Sequence, residues 1–177
     1  MSYKSIILSI FSAAILAICQ FSFISSLPLY LANLNFVVVV LIFVLVLNGL
    51  EKCLWWTAVA AFLFEVYAFS PFGAYFISYF AALVAADFLL NNFFTDRSLY
   101  SFSALVFFAT IFYNFIFSII IYLFGIFTGG AGILFFKVYF WKILGIELAL
   151  NLFAGAILFY VSSLINRKLR PVFLKKG

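Results

Sequence analysis

Histidine is absent from this chain of 177 residues. Zinc metalloprotease motifs of the H-E-x-x-H type, histidine-dependent phosphatases and every general-base scheme built on imidazole are thereby excluded. Charge is nearly as scarce, with only 8% Asp, Glu, Lys and Arg. A soluble domain carries roughly 25% charged residues, so this chain has no means of building a polar shell around a core. Cysteine is limited to Cys19 and Cys53, far apart and without CxxC or Cys/His spacing. That excludes a disulfide framework and a zinc site, and leaves two small hydrophobes. Neither G-x-S-x-G nor G-x-x-x-x-G-K-[ST] occurs, and no catalytic, cofactor-binding or metal-binding residue is assigned.

What the sequence has is apolar surface. Hydrophobic residues make up 69% of the chain, 28 of them Phe, and the mean hydropathy is +1.32. The apolar runs recur along the whole length, which predicts an all-α integral membrane protein forming one membrane domain over residues 1–177. Breakers and charges punctuate six predicted spans, at about 5–27, 31–47, 53–69, 74–94, 99–124 and 141–165. The turn between the second and third is expected at Glu51-Lys52, that between the third and fourth at Ser70-Pro71-Phe72-Gly73. Gly125 and the Gly129–Gly132 stretch are expected to open a loop after the fifth. The N-terminal apolar stretch continues to Leu27, about the ~20 residues needed to cross a bilayer, and reads as an uncleaved span rather than a signal peptide. Ile18 before Cys19 is too large for a lipoprotein signal.

Positive charge sets the orientation. With the N-terminus cytoplasmic, Lys4, Lys52, Arg97, Arg167, Lys168, Arg170, Lys175 and Lys176 fall inside, and only Lys137 and Lys142 outside. That asymmetry predicts both termini in the cytoplasm. Trp55, Trp56 and Trp141 sit near predicted helix ends, as interfacial anchors do. The net charge of +5 gathers in a basic tail over residues 166–177, which points to membrane lipids rather than nucleic acid.

Three acids stand within apolar helices: Glu65, Asp87 and Glu147. Ionisable residues in a membrane are costly and mark functional or structural polar contacts. Glu65 lies near the Pro71 turn; Asp87 is placed to pair with Arg97 or Lys52. Glu147 shares a helix face with Asn151, four residues on. Asn114, in mid-span five, calls for a polar partner. Small residues mark packing faces: Ala13 and Ala17 on span one, Gly145 and Ala149 on the last, and Ala81, Ala82, Ala85 and Ala86 on span four. The span-four face is a candidate docking groove, with packing inside the monomer as its competing explanation.

The block from Leu27-Pro28 through Phe64-Glu65-Val66-Tyr67-Ala68-Phe69-Ser70-Pro71-Phe72-Gly73 resembles the rod shape-determining protein MreD family. That family shows an acid at the end of a span, then a Pro-hydrophobic-Gly turn opening the next. Here Glu65 stands where Asp is more usual, and the glycine normally just before it is replaced by an apolar residue. The similarity covers about residues 28–113. It implies a non-enzymatic subunit of the bacterial elongation machinery, multi-pass in the inner membrane. It also implies association with MreC and, directly or through it, with RodA and its transpeptidase partner, supporting lateral peptidoglycan synthesis. No cofactor or metal is implied. Candidate structural or interaction residues on this reading are Glu65, Pro71, Gly73, Ala82, Ala85, Asp87, Asn114 and Glu147. The six-helix architecture is expected to be similar to the substrate-binding subunits of energy-coupling factor vitamin transporters. Such a subunit is the alternative function, with Glu65, Tyr67, Lys137, Lys142 and Glu147 as its available polar groups. An unassigned small transporter or assembly factor is a third.

Overall fold

The computed structural model describes residues 3–68, 70–94, 98–128 and 138–165. Among these the chain is helical, without strands. Helix α1 (Tyr3–Cys19) continues into a π-helical turn (Gln20–Ile24); a short 3₁₀ turn (Leu29–Asn33) leads to α2 (Phe36–Asn48). Then follow α3 (Leu50–Tyr67), α4 (Ala74–Asn92), α5 (Leu99–Phe127) and α6 (Val138–Ile165).

Five stretches are long and apolar enough to cross a bilayer: Ile7–Ile24, Tyr30–Asn48, Ala74–Asn92, Leu99–Phe127 and Phe140–Leu164. The protein is therefore a multi-pass, all-α membrane protein. Helix α3 has 18 residues but carries Glu51, Lys52 and Glu65, which sets it apart from the other five.

The size pattern inverts that of a soluble protein. Ala13, Ala17, Ala60, Ala61, Ala74, Ala82, Ala86 and Ala109 are all buried. Ile7, Leu8, Phe11, Phe62, Phe88 and Tyr160 face outward. Lipid tails solvate bulky apolar groups as well as another helix does, so helices associate by close approach, and small side chains permit it. Helix α1 thus lies on α3, and α4 packs extensively on α5. Gly155 of α6 is the tightest such contact. A Cβ built there would meet Phe102 Cε1 at 3.3 Å and Val39 Cγ1 at 3.7 Å, from α5 and α2 respectively. Gly145, the glycine expected to lead the packing of this helix, has nothing within 4 Å.

Helix α2 is the central element, with eight buried residues from Val37 to Val46, and it touches α3, α4, α5 and α6. At 13 residues it is about 20 Å long, short of the ~30 Å hydrocarbon layer. The 3₁₀ turn and residues 34–35 therefore supply the rest of that crossing as non-helical backbone. Backbone of this kind is tolerated at membrane depth only where its polar groups are bonded.

The connection between α2 and α3 differs from expectation. It consists of Gly49 alone, with φ +81, and its N–H donates to Leu45 O at 2.9 Å. Glu51 and Lys52 fall inside the first turn of α3, where an acid is favoured by the helix dipole. Charge marked the right neighbourhood, but the reversal needed a residue without Cβ. Helix α5 likewise runs through Gly125 to Phe127, past the expected end at Phe124. Residues 129–132, Lys137, Arg97 and the basic tail lie outside the described residues. Cys53 is buried with its Sγ donating to Leu41 O (3.1 Å), while Cys19 is exposed; both are free thiols.

Candidate functional site

The non-helical entrance to α2 is where polar side chains converge. Gln20 lies in the π turn, whose wider winding displaces its side chain from the regular helical stripe. Its Nε2 donates to Leu34 O (2.7 Å) and its Oε1 accepts from Phe36 N–H (3.0 Å), so one amide brackets Asn35 on both sides. Asn35 N–H donates to Asn151 Oδ1 at 2.9 Å, a bond spanning most of the chain. Asn35 Oδ1 caps α2 by accepting from Val38 N–H (3.3 Å), and also accepts from the Tyr79 hydroxyl (3.3 Å). Asn151 Nδ2 donates to Thr110 Oγ1 (3.0 Å), and Asn114 Nδ2 to Thr110 O (2.9 Å). Thr110 and Asn151 are wholly buried.

Glu147 completes the cluster at 7% exposure. Its carboxylate lies close to the side-chain amides of Asn114, Asn35 and Asn151. The amide directions follow from the other bonds. The oxygens of Asn35 and Asn151 are held by backbone N–H groups, so their NH₂ groups are what remain to face the carboxylate. The Tyr113 ring packs on that of Tyr79 at 4.7 Å between centroids and carries the contact along α5. Contributions come from α1's π turn, the start of α2, α4, α5 and α6. Chemically this is a satisfied polar tie that fixes how five segments meet. A cation cage needs free oxygens, and here the Asn35 and Asn151 amide oxygens are already bonded to backbone N–H groups.

A second polar contact lies at the α3–α4 turn. Glu65 Oε1 accepts from Phe76 N–H at 3.0 Å, in the first turn of α4. There a carboxylate both meets an otherwise unpaired N–H and complements the helix dipole. Between them, Ala74 N–H donates to Pro71 O (3.1 Å), and Gly73 takes φ +92, a conformation that side-chain-bearing residues rarely adopt. Glu65, Pro71 and Gly73 are thus one clasp. The other oxygen, Glu65 Oε2, and the Ser70 hydroxyl are buried without a hydrogen-bond partner among the described residues. Helix α5 overhangs this turn and leaves a crevice of about 750 Å³ lined by Ser70, Pro71, Tyr75, Phe117, Ile121 and Phe124.

The remaining candidates scatter. Ala82 and Ala86 are buried inside the bundle and Ala85 is half-buried. The α4 small-residue face packs within the monomer, where Ala82 adjoins Val38, Leu41 and Ala109. That spacing is what lets α4 approach α2 and α5, and it leaves no open groove at Ala82. Asp87 is within electrostatic range of Cys53 on α3, while Lys52 donates to Asn48 Oδ1 (3.4 Å). Lys142 stands over the Tyr30 ring at 5.6 Å. Glu147, Asn151 and Asn114 were readable as polar residues in apolar helices. Gln20 offered the same signal; Asn35, Thr110 and Tyr79 offered none that separates them from loop or core residues.

No protein-family model, no curated protein and no solved structure matches the chain.

Proposed function

We propose that this protein is an MreD-like, non-enzymatic subunit of the bacterial elongation complex, crossing the inner membrane six times with both termini in the cytoplasm. The observation that carries the reading is the Glu65–Phe76 clasp. The residues of the resemblance, Glu65, Pro71 and Gly73, act together as one structural device, which suits a scaffold and gives none of them a chemical task. The hydrogen bonding of the Glu147 cluster points the same way, because its polar groups hold helices together.

One observation favours a second reading, a substrate-binding subunit of a vitamin transporter. Glu147, Asn114, Asn35 and Asn151 converge from different segments in the half of the bundle where α2 and α4 begin. On the proposed topology that half is the outer one, where such subunits bind ligand.

Purification from native cells in mild detergent separates the two. The scaffold reading expects MreC and RodA to co-purify; recovery of an ATPase pair instead contradicts it. The topology has its own check, by maleimide labelling of intact cells in a background without Cys19 and Cys53. Phe72→Cys, at the exposed tip of the α3–α4 turn, is expected to react from outside and Gly177→Cys only after permeabilisation. External reaction at position 177 defeats the six-span arrangement.

A further inference from the structure

We infer that the groove between the π turn of α1 and the C-terminal half of α6 holds an acyl chain of an anionic phospholipid, whose headgroup meets the basic run that follows α6. The inference stands apart from the scaffold and transporter readings. The chief neighbour of α1 is α3 and those of α6 are α5 and α2, which leaves a groove between α1 and α6 with α2 as its floor. Its volume is about 500 Å³, and its walls carry Ile24 of the π turn, Leu34, Phe43, Ile157, Leu158 and Val161. Ile157 and Val161 are half-exposed, so the groove opens sideways to lipid.

Three observations choose the occupant. The first is that the polar groups along the groove are already bonded. The Ser162 hydroxyl donates to Phe159 O (2.8 Å), and at the other end Gln20 occupies both Leu34 O and Phe36 N–H. A polar ligand would lose its hydration there without compensation. The second is the size of the lining side chains. Membrane helices approach one another through small residues, and only Ala154 and Ser162 of the lining are small. A flexible hydrocarbon chain follows so bulky a wall where another helix does not. The third is charge. Ser162 lies one turn before α6 ends at Ile165, and Arg167 follows two residues on, within about 7 Å of that end however the chain runs. The sequence thus sets Arg167, Lys168 and Arg170 beside the mouth of the groove, where a lipid carries its phosphate. Juxtamembrane Lys and Arg clusters attract anionic headgroups, and a guanidinium binds phosphate through two parallel hydrogen bonds. The smaller groove between α1 and α3, lined by Ile18, Phe21, Leu63 and Tyr67, has no basic run beside it in the sequence.

Photolabelling of the full chain in phosphatidylcholine vesicles tests the site, with a phosphatidylglycerol that carries a diazirine in its acyl chain as probe and peptide mass spectrometry to locate the adducts. Ile157, Leu158 and Val161 are expected to be labelled about tenfold more than Ile18 and Leu63 of the smaller groove. Unlabelled phosphatidylglycerol is expected to compete, and phosphatidylcholine bearing the same diazirine to show no such preference. Arg167→Gln, Lys168→Gln and Arg170→Gln together leave the helices α1 to α6 unaltered and are expected to abolish the preference. Ala154→Phe, which fills the groove, is expected to lower its labelling by either lipid; the Gln variant decides the matter where Ala154→Phe fails to fold. Even labelling of the two grooves, equal labelling by the two lipids, or a preference that survives the Gln substitutions overturns the proposal. Disulfide-linked dimers of Ile157→Cys, in a background without Cys19 and Cys53, assign the groove to a second copy of the chain and overturn it as well.

Discussion

Asn151→Leu is expected to lower the stability of the folded bundle by about 3 kcal/mol. Leucine is similar in size to asparagine, so the change is one of polarity. Two groups lose their partner together, the Asn35 N–H and the Thr110 hydroxyl, and the Glu147 carboxylate loses one of the amides beside it. Side-chain hydrogen bonds between membrane helices average only about 0.6 kcal/mol each, because the separated helices find other partners. That average does not govern this site. The half-buried Asn35 N–H belongs to irregular backbone beside wholly buried Asn151, where a donor left unpaired costs about 1–3 kcal/mol by itself. Asn151→Asp provides the contrast. It keeps an oxygen for the Asn35 N–H but brings a second carboxylate to Glu147, and is expected to be at least as damaging. Equilibrium unfolding in mixed micelles measures both. A Leu variant within about 0.6 kcal/mol of the parent contradicts the role given to the cluster.

Gly155→Leu is the other large effect, expected at about 3 kcal/mol or more through overpacking. The first added carbon already meets Phe102 at 3.3 Å, with Val39 and Val106 close behind. The rest of a leucine has no room unless α6 moves away from α2 and α5, and that movement also stretches the Asn151–Asn35 bond four residues earlier on the same helix. Gly145→Leu is the internal control, since nothing lies within 4 Å of that position. It is expected to stay within about 0.5 kcal/mol of the parent, as surface substitutions do. Thermal unfolding in one detergent, run side by side, ranks the two. Equal losses remove Gly155 from the packing account.

The contrast between Gly155 and Gly145 marks what was legible in the sequence. That membrane helices pack through small residues is general physics, and Ala13 and Ala17 are wholly buried as expected. Which glycine faces a neighbour depends on helix rotation, and α6 is apolar nearly all round. The helices themselves were readable because twenty-residue apolar runs have one stable form in lipid. Their ends were less so. The second span is expected from about residue 31, whereas α2 begins at Phe36 with Asn35 as its cap. Glu147 with Asn151 was visible as a polar pair on one helix face. Its partner Asn35, with Gln20 and Tyr79 bonded around Asn35, comes from distant segments, and only the folded chain brings them together. Glu65, Pro71 and Gly73 were readable as a turn with an acid nearby; that the acid reaches across to Phe76 N–H was not.

Depletion of the protein in rod-shaped native cells tests the proposed function most directly. The elongation-complex reading predicts that growing cells lose their rod form and become round while vitamin uptake is unaffected. Cells that keep their shape but fail to take up a vitamin such as riboflavin or biotin contradict it and assign the chain to transport.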